Sequence, residues 1–209
     1  RTRSGKRVKG IITSKPVHFM NAKERASQDL DIEKIYVDVG ATSRKEAEEA
    51  FGISIGDPMM PDVSFSYDEE HGICCGKAFD NRAGCACIVD TMDQLFEERE
   101  KLAVQVVGAF ATQEEMGMRG AIVTAQVVKP DLAIVFEGSP SDDFHISATQ
   151  AQCRMKNGVQ IRRLDNSYIS NPAFIEYAEE LAKKCGIPYQ EAVRRGGSTN
   201  AGKISLTGK

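Results

Sequence analysis

Apolar positions along this chain change their spacing near residue 76, and the change separates two expected architectures. Before it the apolar runs are short. Residues 8–13 and 35–39 are β-branched stretches bounded by Gly10, Pro16 and Gly40, and the opening stretch reads as a strand pair joined at Ser4-Gly5. One helix is predicted among them, over 42–51, with Thr42 or Ser43 as cap and Glu46 at capping-box distance from Ser43. Residues 52–58 read as a turn-rich strand connection. Together these predict a small β-barrel-like domain with one helix over residues 1–75.

Beyond that point the elements lengthen. Ala83, Cys87, Ile88, Thr91, Met92, Leu95 and Phe96 fall at helical spacing and predict a helix over 81–100. Residues 102–111 form a nearly unbroken apolar run, the pattern of a strand buried on both faces. A helix over 117–128, a second buried strand over 132–136 and a further strand around 161–163 follow. The helix predicted over 171–185 has Asn171 as cap, Pro172 in its first position and Gly186 just past its end. Alternation of this kind predicts an α/β domain over 76–209: a helix-covered, mostly parallel sheet.

Composition narrows the function. The 209 residues, 41% of them hydrophobic, suffice for one sizeable core and a small second domain. A net charge of −3 with mixed signs leaves no electrostatic footprint for nucleic acid or an anionic membrane. No apolar run approaches the roughly 20 residues that span a bilayer, and no signal peptide opens the sequence, so a cytoplasmic protein is expected. Cys74, Cys75, Cys85, Cys87, Cys153 and Cys185 match neither a zinc ribbon nor a disulfide framework. They read as reduced thiols, four of them among apolar or small residues where a free cysteine packs as a small hydrophobe. The chain opens with Arg1 and stops at SLTGK, directly after a predicted helix, so a fragment is expected.

The candidate chemistry is carboxylate chemistry. Asp80 precedes the first long helix, Glu114 and Glu115 follow the run 102–111, and Glu137 follows the run 132–136. Sites in open α/β sheets form outside the carboxyl ends of strands, so these positions can converge. Gathered carboxylates repel one another unless a cation is present, and they are natural ligands for two metals about 3.5–4 Å apart. In the adjacent pair, one carboxylate can bind metal while the other handles protons. Taken singly, each has a plainer reading: Asp80 as a helix cap, Glu114-Glu115 as solvated surface, Gly117 and Gly120 as aids to a tight turn.

Order and context sharpen the picture. The blocks Gly-Lys-Ala-Phe-Asp80-Asn-Arg-Ala-Gly, Gln113-Glu-Glu-Met-Gly-Met-Arg-Gly-Ala121 and Pro130-Asp-Leu-Ala-Ile-Val-Phe-Glu137 resemble the glutamyl and tetrahedral aminopeptidase family of dinuclear metallopeptidases. Lys15-Pro-Val-His18, Tyr36-Val-Asp-Val-Gly-Ala41 and Arg195-Gly-Gly-Ser-Thr-Asn-Ala201 extend the resemblance over nearly the whole chain.

The resemblance implies that Asp80 bridges two divalent ions, zinc or cobalt, with Glu115 on one and Glu137 on the other, where many relatives carry Asp. Glu114 would be the general base that takes a proton from the attacking water. Asp80-Asn81 would be a cis peptide, and the residues before about 75 would belong to an inserted β domain that helps subunits pair. It further implies short peptides as substrates and dimers that assemble into larger particles. Gly197, Ser198 and Thr199, at a predicted helix start, are candidates for lining the substrate site, although a plain helix cap is as good a reading.

The family's two ligand histidines have no counterpart here. His18, His71 and His145 read as surface or structural residues, so the ligands would fall before Arg1 and after Lys209, and the chain as written would hold metal only weakly. Two alternatives stand beside the peptidase. One is a metal-poor relative kept for binding or assembly. The other is a glycosidase using Glu114 and Glu137 as its carboxylate pair.

Overall fold

The structure is a computed structural model and describes residues 1–26 and 32–208, so residues 27–31 of the β-rich segment and Lys209 lie outside it. It divides into two compact units, Arg1–Lys77 and Ala78–Lys209.

In the first unit β1 (Ile11–Thr13) pairs antiparallel with β2 (Tyr36–Asp38), Ile12 opposite Val37. The predicted pair around Ser4-Gly5 is a turn without a ladder: Gly5, at φ +85°, donates to the Thr2 carbonyl. Between β1 and β2 lies α1 (Ala22–Ala26), whose start is a reciprocal capping box in which the Glu24 amide donates to Asn21 Oδ1 and the Asn21 amide to Glu24 Oε2. A helix so short and polar shows no apolar stripe in the sequence. The predicted helix over 42–51 is α2 (Arg44–Glu49). Its Ser43 hydroxyl accepts from the Glu46 amide, while Glu46 Oε2 accepts from both the amide and the hydroxyl of Thr42 at 2.8 Å. The hairpin β3 (Ser66–Asp68) and β4 (Ile73–Cys75) closes over His71, whose amide and ring Nδ1 both meet the Asp68 carboxylate. Among the described residues these are two separate two-stranded sheets, and no closed barrel forms.

The second unit opens with α3 (Phe79–Glu97), in which Asp80 and Asn81 depart from helical dihedrals and are joined by a cis peptide. Next come α4 (Arg119–Val128), β5 (Val159–Leu164), α5 (Pro172–Cys185), β6 (Tyr189–Val193) and α6 (Asn200–Ile204). Strands β5 and β6 are parallel, joined through α5 in a βαβ crossover. Helix α5 begins and ends as its sequence predicts. Asn171 Oδ1 accepts from the Phe174 amide, Pro172 occupies the first turn, and Gly186 closes the helix at φ +67°. The buried Glu179 carboxylate on α5 takes Arg163 Nη2 of β5, and Arg163 Nε reaches Glu191 of β6, which ties helix to sheet. The core is lined with small residues: Ala121 and Ala125 on α4, Ala182 on α5 and Ala192 on β6. Helix α4 packs against α6.

The predicted strands 102–111 and 132–136 form no assigned strand or ladder among the described residues, so the parallel sheet there is the β5–β6 pair alone. A strand exists only with a partner, and apolar character supplies none. The run 102–111 still touches α3, because a Cβ at Gly108 would come within 3.0 Å of the Met92 side chain. Val104 and Ile134 remain 69% and 65% exposed, contrary to burial on both faces. The cysteines also differ from expectation. All six are free, as predicted, but five are exposed and Cys153 is half-buried, so none packs as a buried small hydrophobe.

Candidate active site

Three loops of the second unit carry the carboxylates, and each is set by a local constraint. Asp80 sits at the start of α3, held by its neighbour: Asn81 Nδ2 donates to the Phe136 carbonyl at 2.8 Å, and Asn81 Oδ1 accepts from the Gly84 amide at 3.0 Å. Gly138 lies directly against Asp80, where a Cβ would approach Asp80 Cα to 3.1 Å. Glu114 and Glu115 occupy a compact loop between the run 102–111 and α4. The Glu114 carbonyl accepts from the amides of Gly117 and Met118, and Gly117 takes φ +100°, outside the range open to most side chains. The Gly120 amide closes the loop onto the Thr112 carbonyl at 2.9 Å.

A cavity of about 710 Å³ gathers Asp80, Glu114, Glu115 and Glu137 with Gly197 and Ser198. Thr199 does not line it. Its hydroxyl donates to the buried Asp165 carboxylate at 3.1 Å, and Asp165 also accepts the amide and hydroxyl of Ser167. Thr199 is therefore committed to the start of α6. His18 and His71 belong to the first unit, and His145 is exposed and lines no part of the cavity.

The electrostatics are those of crowded anions. Burial, then the charges of Glu115 and Asp80, push the Glu114 carboxyl up from its ordinary value. Burial and the neighbouring Glu114 push Glu137 up to about 7; Asp80 adds to this, while the Gly138 amide and Arg162 oppose it. Glu137 Oε2 is buried with no hydrogen-bond partner. A buried anionic oxygen without a donor is a demand for a cation or a proton.

These residues fit divalent cations in charge and in donor type, since hard and borderline ions accept carboxylate oxygen. They supply part of a coordination shell. Among the described residues, no three His, Cys, Asp or Glu side chains gather closely enough to hold an ion.

Two cavity residues escaped the sequence reading. Arg162 on β5 and Arg194 just past β6 enter the same space from the carboxyl side of the parallel pair. The available signal was charge inside or directly after a β run, in Ile161-Arg-Arg-Leu164 and Val193-Arg-Arg195, where apolar residues are the norm.

A TET aminopeptidase structure from the marine sediment archaeon Thaumarchaeota archaeon SCGC AB-539-E09 superposes with a TM-score of 0.87 at 36% identity, covering 94% of this chain and 55% of that one. The Pyrococcus horikoshii TET1 peptidase, described as able to assemble into a tetrahedron or a large octahedral shell, aligns at TM-score 0.74 and 26% identity, over 96% of this chain and 57% of its own. The putative aminopeptidase FrvX of Escherichia coli (strain K12) is 29% identical over 209 residues, all of this chain and 57% of that protein. The chain thus spans about half the length of the curated relatives it matches, with the α/β fold of the TET aminopeptidases. The family model for M42 glutamyl aminopeptidases matches residues 1–209 throughout, and the chain belongs to that family.

Proposed function

We propose that the complete protein is a metal-dependent aminopeptidase that hydrolyses the first peptide bond of short peptides. One observation carries this reading: four carboxylates share a single cavity, two of them pushed up by burial and mutual repulsion, with Glu137 Oε2 left without a partner.

Asp80, Glu115 and Glu137 would hold two divalent ions, zinc or cobalt. Such ions supply Lewis acidity, polarising a carbonyl and acidifying water. Glu114 is the proton carrier. It is half-buried, beside Glu115 and Asp80, and its raised proton affinity suits a group that accepts a proton and returns it to a leaving amine. Gly197 and Ser198 line the substrate side of the cavity, and Thr199 serves the fold.

The first unit, residues 1–75 in this reading, is an inserted β-rich domain through which subunits pair, and the pairs build larger particles. The protein acts in the cytoplasm, in keeping with its six free cysteines, and no described helix is long and apolar enough to cross a membrane.

The test is turnover of a panel of aminoacyl anilides by the complete natural protein, before chelation, after it, and with zinc or cobalt restored. Loss with chelator, return with metal and abolition by Glu114→Gln are expected. Anilide hydrolysis indifferent to chelator would overturn the two-metal reading and favour another hydrolase mechanism. No activity in the metal-loaded protein would favour a binding role.

A further inference from the structure

The backbone that leads into β5 is captured by side chains, one amide after another. The Gln152 and Cys153 amides donate to Asp142 Oδ2, the Arg154 amide to Gln190 Oε1 and the Met155 amide to Asp143 Oδ2. After the turn, the Val159 amide is taken by the Pro188 carbonyl at 3.2 Å. Between these anchors the capture lapses. Asn157 and Gly158 are exposed, and among the described residues neither the Asn157 side chain nor the Gly158 amide makes a hydrogen bond. The glycine itself is imposed by the fold: it takes φ +96°, and a Cβ there would lie 2.1 Å from the Pro188 carbonyl oxygen.

A free amide directly after an exposed asparagine is a nucleophile beside an electrophile, because its nitrogen can close a five-membered ring on the side-chain Cγ. Glycine puts no side chain in the way. The other five asparagines are each protected. Asn166 precedes Ser167, whose amide is held by Asp165 Oδ1 at 2.7 Å. The Asn81 side chain is bonded through both its nitrogen and its oxygen, and Asn21 Oδ1 accepts the Glu24 amide. Asn171 precedes Pro172, which has no N–H, and Asn200 opens α6 with its Oδ1 buried.

We propose that Asn157 is a site of non-enzymatic deamidation that converts it to aspartate and isoaspartate in the folded protein. The Gly158 nitrogen, having lost its proton to solvent, bonds to Asn157 Cγ, and the C–N bond to the side-chain nitrogen breaks to release ammonia. Water then opens the succinimide at either carbonyl. Opening at the main-chain carbonyl gives isoaspartate, which adds a methylene to the backbone and a negative charge to the turn. The lengthened stretch lies inside a bridge, because Gln190 Nε2 donates to the carbonyls of both Arg154 and Gly158, at 3.0 and 3.1 Å. Isoaspartate therefore breaks that bridge and loosens the segment that Asp142 and Gln190 hold against β6.

The experiment is incubation of the complete natural protein at mildly alkaline pH, folded and in urea, followed by acidic digestion and peptide mass spectrometry. In the folded protein, exchange of NH2 for OH should run severalfold faster at Asn157 than at any other asparagine. Isoaspartate should be detected there with isoaspartyl methyltransferase. In urea, Asn166 should accelerate, because the Ser167 amide is released. Retention of the Asn157 amide in the folded protein while the unfolded chain converts, or equally fast conversion of Asn166 when folded, would overturn the site. Asn157→Ser cannot form the imide and removes a side chain that bonds to nothing described. Incubated protein should show a lower urea midpoint, and incubated Asn157→Ser an unchanged one; equal midpoints would overturn the break in the Gln190 bridge.

Discussion

Asn81 holds Phe136 through its side-chain amide, Nδ2 to the Phe136 carbonyl at 2.8 Å, and so fixes the start of α3 to the segment that delivers Glu137. The same side chain accepts the Gly84 amide, so one residue anchors Asp80 to its own helix and to its partner carboxylate. Asn81→Ala removes both bonds and leaves the Phe136 carbonyl and the buried Gly84 amide to find other partners. A loss of about 1–3 kcal/mol in unfolding free energy is expected from urea titration. Zinc affinity, measured by competition with a chromogenic chelator, should fall in the same variant.

Glu114→Gln preserves shape but removes the proton acceptor. Turnover should fall by about 10²- to 10⁴-fold. Metal content, measured by atomic emission after dialysis, should stay near that of the unaltered protein. Glu137→Gln should instead lose metal, because Glu137 supplies the oxygen that has no other partner. Equal metal loss in both variants would collapse the distinction between base and ligand.

Metal removal should also be visible in stability. A ligand at about 100 times its dissociation constant adds about 2.7 kcal/mol to the native state. The chelated protein should therefore melt several degrees lower by scanning calorimetry, and zinc or cobalt should restore the midpoint. Removal of the first-unit His71 by mutation should leave that restoration intact, because its ring is bound to Asp68 outside the cavity.

Asp142 sets an acid limit. Arg194, then the Gln152 and Cys153 amides, hold its carboxyl down from 3.8 to about 2. A depressed folded-state value means that the carboxylate stabilises the fold above its ordinary titration range and loses that contribution as pH falls through about 2. Asp142→Asn should be less stable at neutral pH. The gap between the two proteins, followed by urea unfolding, should narrow as pH falls from about 4 towards about 2.

Gly120 tests the loop that carries Glu114 and Glu115. A Cβ there would lie 2.3 Å from the Thr112 carbonyl oxygen, so the two backbones touch only because no side chain intervenes. Gly120→Ala should cost about 1–3 kcal/mol by the overpacking route, with a larger loss of turnover than of substrate affinity as Glu114 shifts.

The sequence by itself determined what short-range chemistry determines. The caps of α2 and α5 and the end of α5 at Gly186 rest on side chains that satisfy amides three or four residues away, or on one residue's φ. The order of the acidic blocks likewise placed Asp80, Glu114, Glu115 and Glu137 on loops adjoining long elements, and the family's motifs could be read from those loops alone. Tertiary structure decided what depends on distant partners. Apolar character could not reveal that 102–111 and 132–136 lack a ladder among the described residues, since pairing belongs to two segments and hydrophobicity to one. Nothing local marks Thr199 as a partner of Asp165, or brings Arg194 of the β6 terminus into the cavity of Asp80. Those relations come from the βαβ crossover and the packing of α4 on α6, which bring into one space residues the chain keeps far apart.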